Sequence, residues 1–410
     1  MATLHGSTCL VHWNIIMTHA LIELLSRESR KLEQAGLSQK ERLVETDSWR
    51  DGGSEMVHVI DFTSDDYLGL QGLKAIHDSA SAALDLYGPG VFSTRMQSGT
   101  RSIHRELEKE VATFLGMPAA LVYTSRYQAC LGLFEPLFDQ RDYIFCDAVV
   151  HPSIADGARL SGARVHSFAN HDLDDLEDKL KRSRGARFRA IVTDGVSPLD
   201  GVVANLPGIC RLAETYDALT IVDDSMGLGV LGTTGRGTAE HHGVTNRVDI
   251  LIGSFEAALG GSTGGFISAH HDIVDWLRQK SIPYIFSGAM PPPAAGSAKG
   301  VLKLLERDQQ PLEDLRKRQM QLRSALANLG YRVYGGEHPL LAVDVMESIT
   351  LQKMINQLFD LGIFAYGLCY PVVPEGEARI RFQVSANHTE AQLEQTITAL
   401  ESVGRDLSVI

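Results

Sequence analysis

Cysteine is scarce in this chain and badly placed for any bridging work. Cys9, Cys130, Cys146, Cys210 and Cys369 are scattered, odd in number and form no CxxC. That excludes a disulfide framework or a zinc ribbon and fits free thiols in a reducing compartment, so a cytoplasmic location is expected. Positive charge is also in deficit, with 38 Lys and Arg against 51 Asp and Glu for a net charge of -13. A chain of that sign repels nucleic acid and anionic membrane surfaces at long range, and neither is expected as a partner. Long apolar runs are missing too, since nothing approaches the roughly 18 residues that a membrane span requires. The clump CLVHWNII near the start lacks the basic flank and cleavage site of a signal peptide, and residues 1–16 read as a disordered leader. The pairs His241-His242 and His270-His271 have no spaced partners, so no metal site is expected.

What the chain has is ample apolar material, 44% of its 410 residues, enough for one large domain and a smaller one. Residues 17–60 form a candidate helical arm, because ALIELLSRESRKLEQAGLSQKERL is amphipathic and charged. Three later segments share one grammar: Val192 to Gly201, Thr220 to Gly232 and Leu251 to Gly265. Each places four or five apolar or β-branched residues before acidic, Gly or Pro punctuation, as buried parallel strands ending in active-site loops do. Ligands of open α/β sheets bind beyond the carboxyl ends of such strands, so the pocket is expected where the three converge. Gly227-x-Gly229-x-x-Gly232 spells a dinucleotide fingerprint, but Thr233-Thr234-Gly235 follows instead of a helix, and the segment reads as a tight loop. After Pro291-Pro292-Pro293 the pattern changes, and residues 300–410 read as a small α+β domain behind a large domain at 61–299.

The series YLGL, GxxSTRxxSGT, HxxLE, DGARLSG, DGV, VDD, GRG, ALGGxxGG and ARIRFQVSANHT, in this order from about Asp61 to the C-terminus, resembles the α-oxoamine synthases among the fold-type I pyridoxal-phosphate enzymes. The resemblance implies an aspartate-aminotransferase-like large domain with a mixed, mostly parallel seven-stranded sheet and a small C-terminal α+β domain. It also implies a homodimer with the active site at the interface, the arm packing on the partner, and the joining of an amino acid to an acyl-CoA.

The same resemblance locates a site and several departures from it. The family's Schiff-base lysine precedes Ala-Leu-Gly, and in Ser254-Phe255-Glu256-Ala257-Ala258-Leu259-Gly260 that place is held by Ala257. Ser125-Arg126-Tyr127-Gln128-Ala129-Cys130 falls on the phosphate loop, where Arg126 is either a surface arginine or an attractor of anions and Cys130 replaces an asparagine. Pro198 replaces a serine, Met226 a histidine, and Ser287-Gly288 the partner subunit's phosphate-binding pair. His151 aligns with the histidine that stacks on the cofactor ring, Asp223 with the partner of the pyridinium nitrogen, and Arg381 with the arginine that grips the substrate carboxylate. Asp66 stands for an asparagine at the substrate side.

Five changes on one ligand lead to the expectation that no covalent pyridoxal phosphate forms and that its binding is lost. The chemistry then expected is cofactor-independent acyl transfer from coenzyme A or a carrier protein, with His151 as base oriented by Glu256 or Asp223, and Cys130 as an alternative nucleophile. Two other readings stay open: a catalytically silent subunit of an active paralogue, and noncovalent use of pyridoxal phosphate.

Overall fold

The structure is a computed structural model that describes residues 19–34, 43–45, 48–50, 56–57, 59–260 and 262–410. The expected leader at 1–16 lies outside the described residues. Up to Val59 the chain forms a unit of its own. It holds helix α1 (His19–Gln34), exposed along its whole length, and three short strands, β1 (Leu43–Glu45), β2 (Ser48–Arg50) and β3 (Met56–Val57), paired antiparallel in that order.

Residues 60–410 form the second unit. In chain order its first part contains β4 (Ile60–Asp61), α2 (Lys74–Tyr87), α3 (Ser102–Leu115), β5 (Ala119–Tyr123), α4 (Arg126–Leu137), β6 (Tyr143–Asp147), α5 (Pro152–Leu160), β7 (Arg164–Phe168), α6 (Leu173–Arg182), β8 (Arg189–Asp194), α7 (Leu206–Tyr216), β9 (Leu219–Asp223) and the single turn α8 (Thr238–His241). There follow β10 (Ile250–Ser254), β11 (Gly265–Ala269), α9 (His271–Lys280), α10 (Ile282–Phe286), α11 (Pro292–Arg307), α12 (Gln310–Leu329), β12 (Leu340–Met346), α13 (Ser348–Asp360), β13 (Ile363–Phe364), β14 (Tyr366–Leu368), β15 (Ala378–Gln383) and α14 (Glu390–Asp406).

Seven strands make the central sheet in the order β5-β11-β10-β9-β8-β6-β7. Only β11 runs against its neighbours, so the sheet is mixed and mostly parallel, as expected. Both faces are covered, and the period-two alternation of a strand shows how. Leu121, Ile144, Ile221, Ile250 and Ile252 pack into one buried cluster with Leu133 and Phe134 of α4 and Leu277 of α9. Val122, Phe145, Ile191, Val222 and Leu251 pack into the other with Leu107 of α3 and Val301 of α11. Burial on both faces is why these segments read as continuous apolar runs. A fully buried phenylalanine such as Phe145 or Phe266 contributes about 2–3 kcal/mol through burial.

The C-terminal part builds the antiparallel sheet β12-β15-β14, with β13 paired parallel to β4. Residue 300, the expected start of a small domain, falls inside α11, which presses on α2: a Cβ on Gly296 would meet Ser79 O at 2.6 Å. The loop that spells a dinucleotide fingerprint holds Gly229 at φ +80 and Gly232 at φ +81, where an L side chain is strained. It is pinned by Asp224, whose carboxylate accepts from Thr238 N and Thr238 Oγ1, both at 2.6 Å.

Candidate functional site

Parallel strands point their carboxyl ends the same way, and here three ends bring charge together. β5 leads into Ser125, the N-cap of α4, whose Oγ accepts from Gln128 N at 3.1 Å. The next residue, Arg126, turns its guanidinium inward instead of outward. Its Nε donates to Asp223 Oδ2 at 2.7 Å, at the end of β9, and its Nη2 donates to Asp194 Oδ1 at 3.0 Å, at the end of β8. The Arg126 side chain is 11% exposed, that of Asp194 6% and that of Asp223 0%.

Buried ions survive only when further hydrogen bonds offset their lost hydration. Those bonds are present. Ser225 donates to Asp223 Oδ1 from Oγ at 2.7 Å and from N at 3.2 Å, and His151 N donates to Asp194 Oδ2 at 2.8 Å. Burial opposes the charge on Arg126, but the two carboxylates outweigh it and hold the guanidinium protonated above its ordinary range. Asp194 moves the other way: burial first, then the charge of Asp223, pushes it up to about 8.

His151 lies beyond β6 and caps α5. Burial, aided by the positive charge of Arg126, lowers its pKa to about 4, so the ring is neutral near pH 7. Its Nδ1 accepts from Ser153 N at 3.3 Å and meets Ser153 Oγ at 2.6 Å. A neutral ring whose Nδ1 accepts carries its proton on Nε2. This geometry leaves Nε2 of the neutral His151 ring as an N–H donor. Cys130 lies 3.8 Å from Asp223 Oδ2, and burial, with that carboxylate beside it, pushes its thiol far up. A thiol so held resists ionising to the thiolate.

Other predicted residues fall around this core. Ser254 ends β10, and its Oγ accepts from Glu256 N at 2.9 Å and donates to Gly264 O at 3.4 Å. Glu256 is exposed, and among the described residues its carboxylate accepts from Ser254 Oγ at 3.4 Å and makes no hydrogen bond to His151. Ala257 is buried in the turn behind β10. Met226 is buried with its carbonyl accepting from His338 Nε2 at 2.9 Å, and Pro198 sits in the turn that Ser197 N closes on Val202 O at 2.9 Å. Tyr127 points outward and donates to Asp156, away from the buried charges. Ser287 Oγ accepts from Gln128 Nε2 at 3.2 Å, and Gly288 bridges Thr94. Asp66 spends its carboxylate on Leu70 N at 2.6 Å and Gln71 N at 3.1 Å, which makes it the acceptor of its own turn and not a free substrate contact.

Arg381 differs from its neighbour Arg379 in a telling way. Arg379 is neutralised by Glu377 at 2.8 Å and Asp200 at 3.4 Å. Among the described residues no carboxylate lies within ion-pair distance of Arg381; Nη2 donates to Gln383 Oε1 at 2.7 Å, and Nε is buried without an acceptor. An unpaired donor of that kind asks for a ligand. Asp65, raised by burial against the pull of Arg381, bonds the same Gln383. Asp65 also lines a cavity of about 400 Å³ with Asp66, Gln71, His77, Glu256 and Ser297. A larger cavity of about 560 Å³, with Arg316, Arg323, Glu240 and Glu337 among its walls, shares no residue with these contacts. Asp194 and Asp65 carry no local signal in the sequence beyond the acidic punctuation that follows an apolar run.

An open, mostly parallel α/β sheet that gathers a buried carboxylate and a capping histidine at its strand ends has the architecture of the fold-type I class of pyridoxal-phosphate enzymes. The family model described as aminotransferase class I and II matches residues 57–400. The chain is 40% identical over 389 residues to 2-amino-3-ketobutyrate coenzyme A ligase of Escherichia coli strain K12, covering 94% of this chain and 98% of that one. It is 34% identical over 390 residues to 8-amino-7-oxononanoate synthase of Thermoanaerobacter pseudethanolicus, covering 95% and 98%. Among solved structures, a serine palmitoyltransferase of S. paucimobilis carrying a lysine-to-alanine change, with a bound PLP-myriocin aldimine, superposes with a TM-score of 0.87 at 26% identity, over 96% of this chain and 100% of that one. The chain belongs to the class I and II aminotransferase family, in its α-oxoamine synthase branch.

These relationships overturn the expectation that pyridoxal phosphate binding is lost. The family is one of pyridoxal-phosphate enzymes, and a lysine-to-alanine member of the fold holds the cofactor, so the loss of a lysine does not by itself remove it. The donor set here suits the group: a buried carboxylate for a pyridinium, a neutral aromatic ring in His151, and the amino end of α4 for a phosphate. Arg126 is the one member of that set that shares Asp223.

Proposed function

We propose that this chain is an acyltransferase-type α-oxoamine synthase that takes an acyl group from an acyl thioester, coenzyme A-bound or carrier-bound, and passes it to an acceptor whose carboxylate Arg381 grips. The observation that carries this reading is the guanidinium of Arg381, with a buried Nε that has no acceptor, while Arg379 two residues away is fully paired. A planar fork of that kind matches a carboxylate with two parallel N–H donors. The names of the relatives, a coenzyme A ligase and an oxononanoate synthase, support the thioester side.

Ala257 stands in the place of the family's Schiff-base lysine, so pyridoxal phosphate is held by contacts and not by a bond to residue 257. The cofactor, when bound, supplies an electron sink for carbanion chemistry beside an amino group. Asp223 would face the ring nitrogen and the amino end of α4 would receive the phosphate, while the Nε2–H of His151 stays a donor through neutral pH. Asp65 and Gln383 hold Arg381 in position from behind. The protein works as a homodimer with the site near the interface.

The test is release of the coenzyme A thiol from a panel of acyl-CoA donors with glycine and other small amino acids, with pyridoxal phosphate added. Transfer is expected, together with its loss in Arg381→Ala. Turnover unchanged in that variant, or no transfer across the panel, overturns the reading. Ala257 also favours a second reading, a silent subunit that stabilises a complete paralogue; co-purification of a stable heterodimer, with no turnover by the homodimer, selects it.

A further inference from the structure

The charge most deeply buried beside the strand ends belongs to the protein itself. Asp223 is fully buried, and every acceptor position it offers is in use: Oδ2 takes Arg126 Nε at 2.7 Å, with Cys130 Sγ at 3.8 Å, and Oδ1 takes both donors of Ser225. A pyridinium N–H that approaches Asp223 seeks the oxygen that Arg126 occupies. Two cations on one carboxylate repel, and in a buried site that repulsion is weakly screened. Arg126 is also anchored a second time, on Asp194 at 3.0 Å. Position 126 is the first residue of α4, so the guanidinium hangs from the helix end that would meet the phosphate.

Resting on the α-oxoamine synthase reading, we propose that Arg126 is the resident occupant of the cofactor site and competes with pyridoxal phosphate for Asp223, so that uptake requires the guanidinium to leave that carboxylate. Arg126 is thereby a specificity-determining residue for cofactor uptake. The competition also explains how the pocket stays folded around a buried carboxylate before any cofactor arrives: the internal cation compensates Asp223 in the meantime.

The experiment is equilibrium dialysis of the full chain with pyridoxamine 5′-phosphate, which keeps the ring and phosphate but forms no imine with surface lysines. Wild type is compared with Arg126→Ala and with Arg126→Ala/Asp194→Asn. The double variant removes the surplus buried carboxylate left by the arginine, and so remains folded if the single one does not. A charge-assisted hydrogen bond is worth roughly 1.5–3 kcal/mol, so affinity is expected to rise at least about tenfold in both variants. Low-millimolar free guanidinium should weaken ligand binding in the variants and leave wild type unchanged, a response that a merely structural role for Arg126 does not give. A folded double variant that binds no tighter than wild type, or that ignores guanidinium, overturns the proposal. Failure of the function reading is separate, because absence of acyl transfer leaves the dialysis result standing.

Discussion

Arg126→Ala should cost the fold far more than a typical arginine truncation, and by an amount that depends on pH. The guanidinium is 11% exposed and lies between carboxyl groups that are 6% and 0% exposed, so its removal leaves the two buried side by side without a cation. Removing one partner of a buried ion pair costs about 3–5 kcal/mol. Asp194 already sits raised to about 8 through burial and the charge of Asp223, and the loss of Arg126 removes the group that pulls it down. A carboxyl whose folded pKa lies above its unfolded value keeps its contribution to stability below the unfolded pKa and loses it as pH climbs through the folded one. In wild type Asp194 ionises near pH 8 beside Arg126, and in the variant only at higher pH, so the deficit of the variant should be constant from pH 5 to 7 and grow above about pH 8. Urea unfolding at pH 7 and pH 9.5 measures it, and Arg126→Ala/Asp194→Asn should remove the part of the loss that grows with pH. A deficit under about 1 kcal/mol, equal at both pH values, would refute the reasoning, because it would mean that the two carboxylates do not depend on the guanidinium.

Arg381→Ala should weaken the binding of glycine by about 2 kcal/mol, roughly thirtyfold, and leave methylamine unaffected in calorimetric titration, since only the first carries the carboxylate. His338 is fully buried between Met226 O and Leu340 N, with its pKa lowered to about 4 by burial. The unfolded chain takes up that proton first, so on acidification from pH 7.5 to 5 wild type should lose about 2 kcal/mol more than His338→Gln in urea titrations. Gly265→Ala places a Cβ 2.5 Å from Arg126 N, backbone that cannot yield, and should cost about 1–3 kcal/mol with a lowered melting temperature.

Most of the architecture was legible because it rests on local grammar. Val192 to Gly201, Thr220 to Gly232 and Leu251 to Gly265 each announce a buried strand and its end, and β8, β9 and β10 are adjacent in the sheet. Residue 300, the expected start of the small part, falls inside α11, within a unit that runs from residue 60 to 410. His151, Asp223 and Arg381 are put forward by the family resemblance and by no local pattern. What side chains do once they arrive is a different matter, because it depends on neighbours far away in sequence. Asp66 replaces an amide, yet a carboxylate accepts the backbone N–H groups of its turn just as an amide oxygen would. Glu256 looked like a new acid beside the lysine position, but the turn after β10 directs it outward.

Arg126 marks the sharpest limit. Whether an arginine at the first position of a helix faces solvent or the sheet is decided by what waits at the neighbouring strand ends, 68 and 97 residues further along the chain. With Asp223 alone, a buried guanidinium would answer one charge with one bond and gain little after desolvation. With Asp194 added, and with Ser225 and the His151 amide completing both carboxylates, the inward rotamer becomes the stable one. The same arithmetic governs any cofactor that comes to this site. A ring nitrogen must offer Asp223 more than an arginine that already holds it at 2.7 Å, and it gains its advantage only if phosphate binding at α4 and carboxylate binding at Arg381 add to the contest. Cofactor and substrate are therefore expected to strengthen each other's binding in this chain, a coupling that dialysis of pyridoxamine 5′-phosphate with and without acetate can measure.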